Sequence, residues 1–180
     1  MASYAAMVRG IGPENPNMRS AKLVEAFESC GFDNVRSFLG SGNVLFESEI
    51  TDVAQLEALA EAALPRLLGF SRDVLIRPAN DLQRIVDAAP FGELKHENSG
   101  KTYLTVTFFK SVPEDLPSLP HTPDGKHFQL VALVNGALCS VVDLTAGKTP
   151  DLMQYLERHY GKHITTRTYA TLTRMLTKLQ

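Results

Sequence analysis

Residues Ser3 to Arg77 read as strand, helix, strand, tight turn, strand, helix, strand, and this order constrains the fold more than any other feature. Ser3–Val8 is nearly all apolar, the mark of a strand covered on both faces, which points to the second half of the chain packing across the sheet. Asn17 reads as an N-cap for a helix from Met18 to about Cys30, with Leu23, Phe27 and Cys30 on one face, Ala26 beside them, and Gly31 at the stop. Val35–Leu39 and Val44–Glu47 flank Gly40-Ser41-Gly42-Asn43, a small-residue turn that closes a β-hairpin. Asp52–Leu68 carries apolar residues at helical spacing, with Pro65 expected to kink or end the helix early and Gly69 as its stop. Asp73–Arg77 is the fourth strand.

A β-α-β-β-α-β order is the split βαβ, ferredoxin-like arrangement. It sets strands one and three side by side and antiparallel in the middle of the sheet. Arg9-Gly10 at the end of strand one then lies near Gly42-Asn43 at the start of strand three. Arg72 and Asp73 come to the same end, and Arg77 to the opposite one.

The second half is a partial echo. Asn80–Ala88 reads as a short helix, 90–100 as a loop and Thr102–Lys110 as a strand. Ser111–Gly125 holds four prolines and is a connection with at most one helical turn. His127–Val134 and Ala137–Val142 flank Asn135-Gly136, a strong hairpin signal. Thr149 caps a helix with Pro150 in its first position, and Gly161 closes it. Thr166 or Thr168 starts a last helix, so this half has no clear final strand. The fold class is therefore α+β: two ferredoxin-like subdomains, βαββαβ followed by an incomplete echo, in a single domain over 1–180. The first subdomain covers 1–78, a linker with a short helix 79–100, and the second subdomain 101–180.

Composition narrows the function classes. Of 180 residues, 44% are hydrophobic, which argues for a packed core, and a formal net charge of −2 with no basic run argues against nucleic acid. Cys30 and Cys139 follow no metal or redox spacing and read as free thiols of a reducing compartment. No apolar run approaches the roughly 18 residues a membrane span needs. The N-terminal residues do not resemble a secretory signal, so a cytoplasmic protein is expected.

Several fragments of known motifs are present and none is completed. Gly10-Ile11-Gly12 follows a strand, but a dinucleotide fingerprint would need its third glycine where Asn15 stands. Gly40-Ser41-Gly42 lies in a hairpin turn, not at the strand-to-helix elbow of a nucleophilic serine. Gly147-Lys148-Thr149 lacks the leading glycine of a phosphate loop, whose place is taken by Val142. His159 and His163 are separated by Gly161, and no ligand set at zinc spacing accompanies them. No cofactor and no metal is expected.

What remains is a set of donors suited to an anion. Arg9 and Gly10 precede the first helix, whose N-terminal amides favour negative charge. Thr165-Thr166-Arg167-Thr168-Tyr169 brings a guanidinium and several hydroxyls to another helix start. For both arginines the alternative is a structural pairing with a carboxylate. The candidate ligand-binding residues are Arg9, Gly10, Ser41, Asn43 and Arg167, and no catalytic residue is singled out. An enzyme acting on a phosphorylated substrate would also need a general base, for which Asp73, Glu14 and Asp143 are the candidates. Single-strand nucleic-acid binding on an open sheet face is the third alternative.

Val8-Arg9-Gly10-Ile11, Gly31-Phe32-Asp33-Asn34-Val35 and Ser41-Gly42-Asn43-Val44-Leu45-Phe46 resemble the motifs of a bacterial family, domain of unknown function 1697. The looser Thr165-Thr166-Arg167 segment resembles the family's Thr-x-Arg, with Thr168 and Tyr169 departing from its Asn-Trp. Gly12-Pro13-Glu14-Asn15 departs from its Asn-Val-Gly-Gly. The resemblance covers essentially the whole chain and implies two ferredoxin-like subdomains and a bacterial source. It implies no activity.

Overall fold

The computed structural model describes residues 1–10, 20–40, 42–94, 102–145 and 149–180. They divide into two compact units, Met1–Asp81 with Met175–Gln180, and Leu82–Arg174.

The first unit runs β1 (Ala2–Val8), α1 (Ser20–Glu28), β2 (Asp33–Phe38), β3 (Asn43–Ser48), α2 (Val53–Leu68) and β4 (Val74–Pro78). Its sheet has the order β2-β3-β1-β4 with every neighbour antiparallel, the arrangement expected from the sequence. Strand alternation sends Tyr4, Ala6 and Val8 of β1 and Val44 and Phe46 of β3 to the face where they pack with Leu23 and Phe27 of α1 and Leu56 and Leu64 of α2. Within that core the Phe46 ring stacks on Phe32 at 4.5 Å and on Tyr4 at 5.4 Å. Residues Tyr4 to Val8 are buried without exception, so β1 is covered on both faces.

Helix α2 is capped by Asp52, whose carboxylate accepts the N–H groups of Ala54 and Gln55. Pro65 does not end it. The helix continues to Leu68 and closes at Gly69, which adopts φ +79° and donates to the Pro65 carbonyl. Pro65 is exposed, so the carbonyl its missing N–H leaves unbonded is within reach of water.

Strand β4 is an edge, and α2 protects it. Glu57 Oε1 accepts the Ile76 N–H at 2.8 Å and Glu61 Oε1 accepts the Val74 N–H at 2.9 Å. Four helical residues rise about 6 Å and two strand residues about 6.8 Å. Carboxylates one turn apart therefore match outward N–H groups two residues apart. Glu57 also meets Arg77 Nη1 at 3.4 Å.

The second unit contains β5 (Thr102–Phe109), β6 (Phe128–Val134), β7 (Ala137–Asp143), α4 (Thr149–Tyr160) and β8 (Ile164–Thr168). Its order, β6-β7-β5-β8, repeats that of the first sheet. Two helices, α3 (Ala79–Asp87) and α5 (Tyr169–Leu179), each begin in one unit and end in the other.

Strand β8 corrects the sequence-based expectation that this half lacks a final strand. Ile164–Thr168 pairs antiparallel with β5, from Thr105 opposite Thr168 to Phe109 opposite Ile164. Its β-branched residues suit a pleated surface, and a Thr107–Thr166 hydroxyl contact of 2.8 Å ties the pair. Helix α5 follows at once, and Thr168 Oγ1 accepts the Thr171 N–H at 3.0 Å as its cap. The echo is incomplete at a different point: no helix joins β5 to β6. The proline-bearing connection there forms no helical turn, and His121 pairs with Leu130 of β6 through two 2.8 Å hydrogen bonds.

Candidate functional site

Antiparallel pairing gathers three segments at one end of the first sheet. Met7 stands opposite Asn43, and Val8 donates to the Gly42 carbonyl at 2.8 Å. On the other side Val8 stands opposite Val74, and Arg9 donates its N–H to the Asp73 carbonyl at 3.0 Å. This meeting of the end of β1 with the starts of β3 and β4 is the one expected from the strand order. A cleft of about 640 Å³ opens there, lined by Arg9, Gly10, Glu61, Ala62, Ser71, Arg72 and Asp73.

Arg72 is the side chain that gives the cleft its chemistry. Gly69 turns the chain out of α2, and Phe70 to Asp73 lead into β4. The guanidinium carbon of Arg72 lies 4.8 Å from the Phe70 ring centroid, and Nη1 donates to the Ser71 carbonyl at 2.9 Å. These contacts orient the group, and no carboxylate among the described residues pairs with it. Gly10 has φ +63°, and a Cβ placed on it would sit 3.5 Å from Arg72 Nε. That distance is ordinary contact, so the positive φ, and not a lack of room, is what favours glycine at residue 10.

Two carboxylates share the lining. Glu61 is held at the β4 edge by the Val74 N–H. Asp73 is fixed through its backbone by Arg9. Among the described residues, the lining thus includes Arg9 and Arg72 as well as Glu61 and Asp73.

A family model described as "Protein of unknown function (DUF1697)" matches residues 1–130. The chain belongs to this family. Among solved structures, this DUF1697 member is similar to a conserved bacterial protein from Streptococcus pneumoniae, with a TM-score of 0.63, 19% identity and 99% of each chain covered. At that identity the likeness concerns the fold. No curated protein matches the sequence.

The remaining candidate residues of this DUF1697 chain fall in different surroundings. Asn43 is buried, and its amide donates to the Phe38 carbonyl at 3.3 Å, bracing the β2–β3 hairpin. Ser41, Glu14, Asn17 and the Gly147-Lys148 pair lie outside the described residues. Arg167 belongs to the second unit, where Nη1 donates to Thr165 Oγ1 at 2.8 Å and to the Thr166 carbonyl at 3.0 Å. Burial pushes its guanidinium down to about 10, so it stays charged at neutral pH. Asp143 is exposed, and the Thr145 hydroxyl and N–H hold its carboxyl below the usual range. That shift is opposite to the one a general base requires.

Both cysteines are free, Cys139 buried and Cys30 half-buried. Burial pushes the Cys139 thiol up to about 12 and raises Cys30, which keeps both protonated and unreactive. Among the described residues, no group of three or more His, Cys, Asp or Glu could hold a metal ion. No described helix is long and apolar enough to cross a membrane.

Glu61, Ser71 and Arg72 were not among the candidates named from sequence. The available signal was the lead-in Phe70-Ser71-Arg72-Asp73 between a helix stop and a strand that pairs beside Arg9.

Proposed function

We propose that this protein binds a small anionic or phosphorylated ligand in the cleft between Arg9-Gly10 and Arg72. The observation that carries the reading is the oriented Arg72 guanidinium, which among the described residues has Phe70 and a single carbonyl as partners and no carboxylate. A planar guanidinium offers parallel N–H groups that match phosphate and carboxylate oxygens. Arg9 adds a second positive charge to the same lining. The volume falls within the range of small-molecule sites. Asn43 supports the site from behind by fixing the hairpin against which β1 ends.

An enzyme acting on a phosphorylated substrate is the second reading, favoured by the presence of Asp73 beside the arginines. Stacking of single-stranded nucleic acid on the sheets has less support, because most strand rings (Tyr4, Phe46, Phe108, Phe109 and Phe128) are buried and Phe38 and Tyr103 are half-buried.

Thermal unfolding in the presence of phosphate, pyrophosphate, carboxylates and nucleotides tests the proposal. At least one of these anions should raise the midpoint of the native protein, and added sodium chloride should reduce the effect. Arg9→Ala and Arg72→Ala should abolish it. Unchanged shifts in both variants would place any anion elsewhere.

A further inference from the structure

We infer that Phe70 sets the cleft's affinity for anions: it is a positioning residue, whose ring holds Arg72 in its binding place before any ligand arrives. The inference rests on the anion-binding reading above and deepens it by assigning the residue that tunes the site.

Phe70 stands between two anchors. It follows Gly69, the stop of α2, and its half-buried side chain packs against the core of the first unit. Its ring in turn carries the Arg72 guanidinium, with the central carbon 4.8 Å from the centroid. The residues are two apart, the spacing at which side chains of an extended segment share a side. Arg72 itself is exposed. An exposed arginine ordinarily samples many rotamers, and a ligand that fixes it bears the entropy of ordering it. Here the Phe70 ring and the Ser71 carbonyl, which accepts from Nη1 at 2.9 Å, order the side chain in the folded protein.

The ring does this without taking up donors. A cation over an aromatic face is attracted by the ring's quadrupole, so the guanidinium keeps its N–H groups for oxygen acceptors. Among the described residues, the hydrogen bond to Ser71 is the one that uses an Arg72 N–H. A carboxylate in place of the ring would hold the guanidinium too, but it would fill the same fork and compete with the ligand. An aromatic partner fixes an arginine and leaves it able to take an oxyanion.

Calorimetric titration of the full chain with phosphate and with pyrophosphate tests the assignment. Phe70→Leu keeps an apolar side chain against the core and removes the ring, and affinity should fall roughly two- to tenfold. Phe70→Tyr keeps the ring and should restore native affinity. A second measurement needs no variant. In proton NMR of the native protein the ring should shift the Arg72 side-chain resonances upfield, and that shift should persist when the cleft is saturated. Unchanged or tighter binding in Phe70→Leu, weak binding in Phe70→Tyr, or loss of the upfield shift on saturation overturns the positioning role and leaves the anion reading standing. Failure of both anions to bind the native protein overturns the two together.

Discussion

Arg77 and Arg167 occupy the same register position in their respective sheets: Arg77 stands opposite Ala5 of β1 and Arg167 opposite Val106 of β5, each one residue before its strand ends. The two positions deal with partial burial differently. Burial lowers the Arg77 guanidinium, and the Glu57 charge works against that shift. For Arg167 the hydrogen bonds go to a threonine hydroxyl and a carbonyl.

Glu57 is accordingly a costly residue to lose. Glu57→Ala would strip the Ile76 N–H of its acceptor and remove the larger of two carboxylate influences on a largely buried Arg77, leaving Asp81, at about 2–3 kcal/mol. Glu57→Gln keeps the acceptor and should cost about half as much. Urea denaturation should rank the midpoints native, Gln, Ala, and equal midpoints for the two variants would deny the edge-capping role.

Ser140 makes the reverse prediction. Its hydroxyl oxygen is buried in the second sheet with no hydrogen-bond partner among the described residues. Ser140→Ala removes an unsatisfied polar atom and should stabilise the protein by about 1 kcal/mol. A lower melting temperature for this variant would show that the hydroxyl is satisfied in solution.

Gly10→Ala combines two effects. The left-handed φ of +63° costs a side chain about 1 kcal/mol, and the new methyl would touch Arg72 at ordinary contact distance on the rim of the cleft. Stability should fall modestly and anion-induced thermal shifts should fall more. A variant with native shifts would separate Arg72 from the ligand.

Asp143 gives a pH signature. Thr145 donates twice to its carboxylate and lowers its folded pKa. The unfolded chain therefore binds this proton more readily, and the turn contributes stability that is present above the ordinary carboxylate range and lost as pH falls through the folded value. In Thr145→Ala the Asp143 carboxyl should titrate close to an ordinary aspartate by carbon-13 NMR. An unchanged titration would mean that another group sets the shift.

Much of the first unit was legible because its signals agree with one another. Val44 and Phe46 alternate with their neighbours, Gly40 and Gly42 mark the turn, and α2 carries a cap, a stripe and a stop. Strand β8 was not legible because Thr165-Thr166-Arg167-Thr168 has no apolar alternation; its polar residues read equally well as a helix start, and only pairing with β5 decides between them. The meeting of Arg9 with the start of β4 followed from strand order. Strand order also brought Arg72 to that end, but it was not named as a ligand candidate, because its orientation comes from the ring of Phe70.

Helix α5 leaves the second unit at Arg174, and Met175–Gln180 belong to the first, where the Arg36 guanidinium holds the Lys178 carbonyl. During synthesis, then, β1 to β4 emerge from the ribosome long before the turn that completes their unit. The Arg36 contact with Lys178 therefore forms only after the entire intervening unit has been translated.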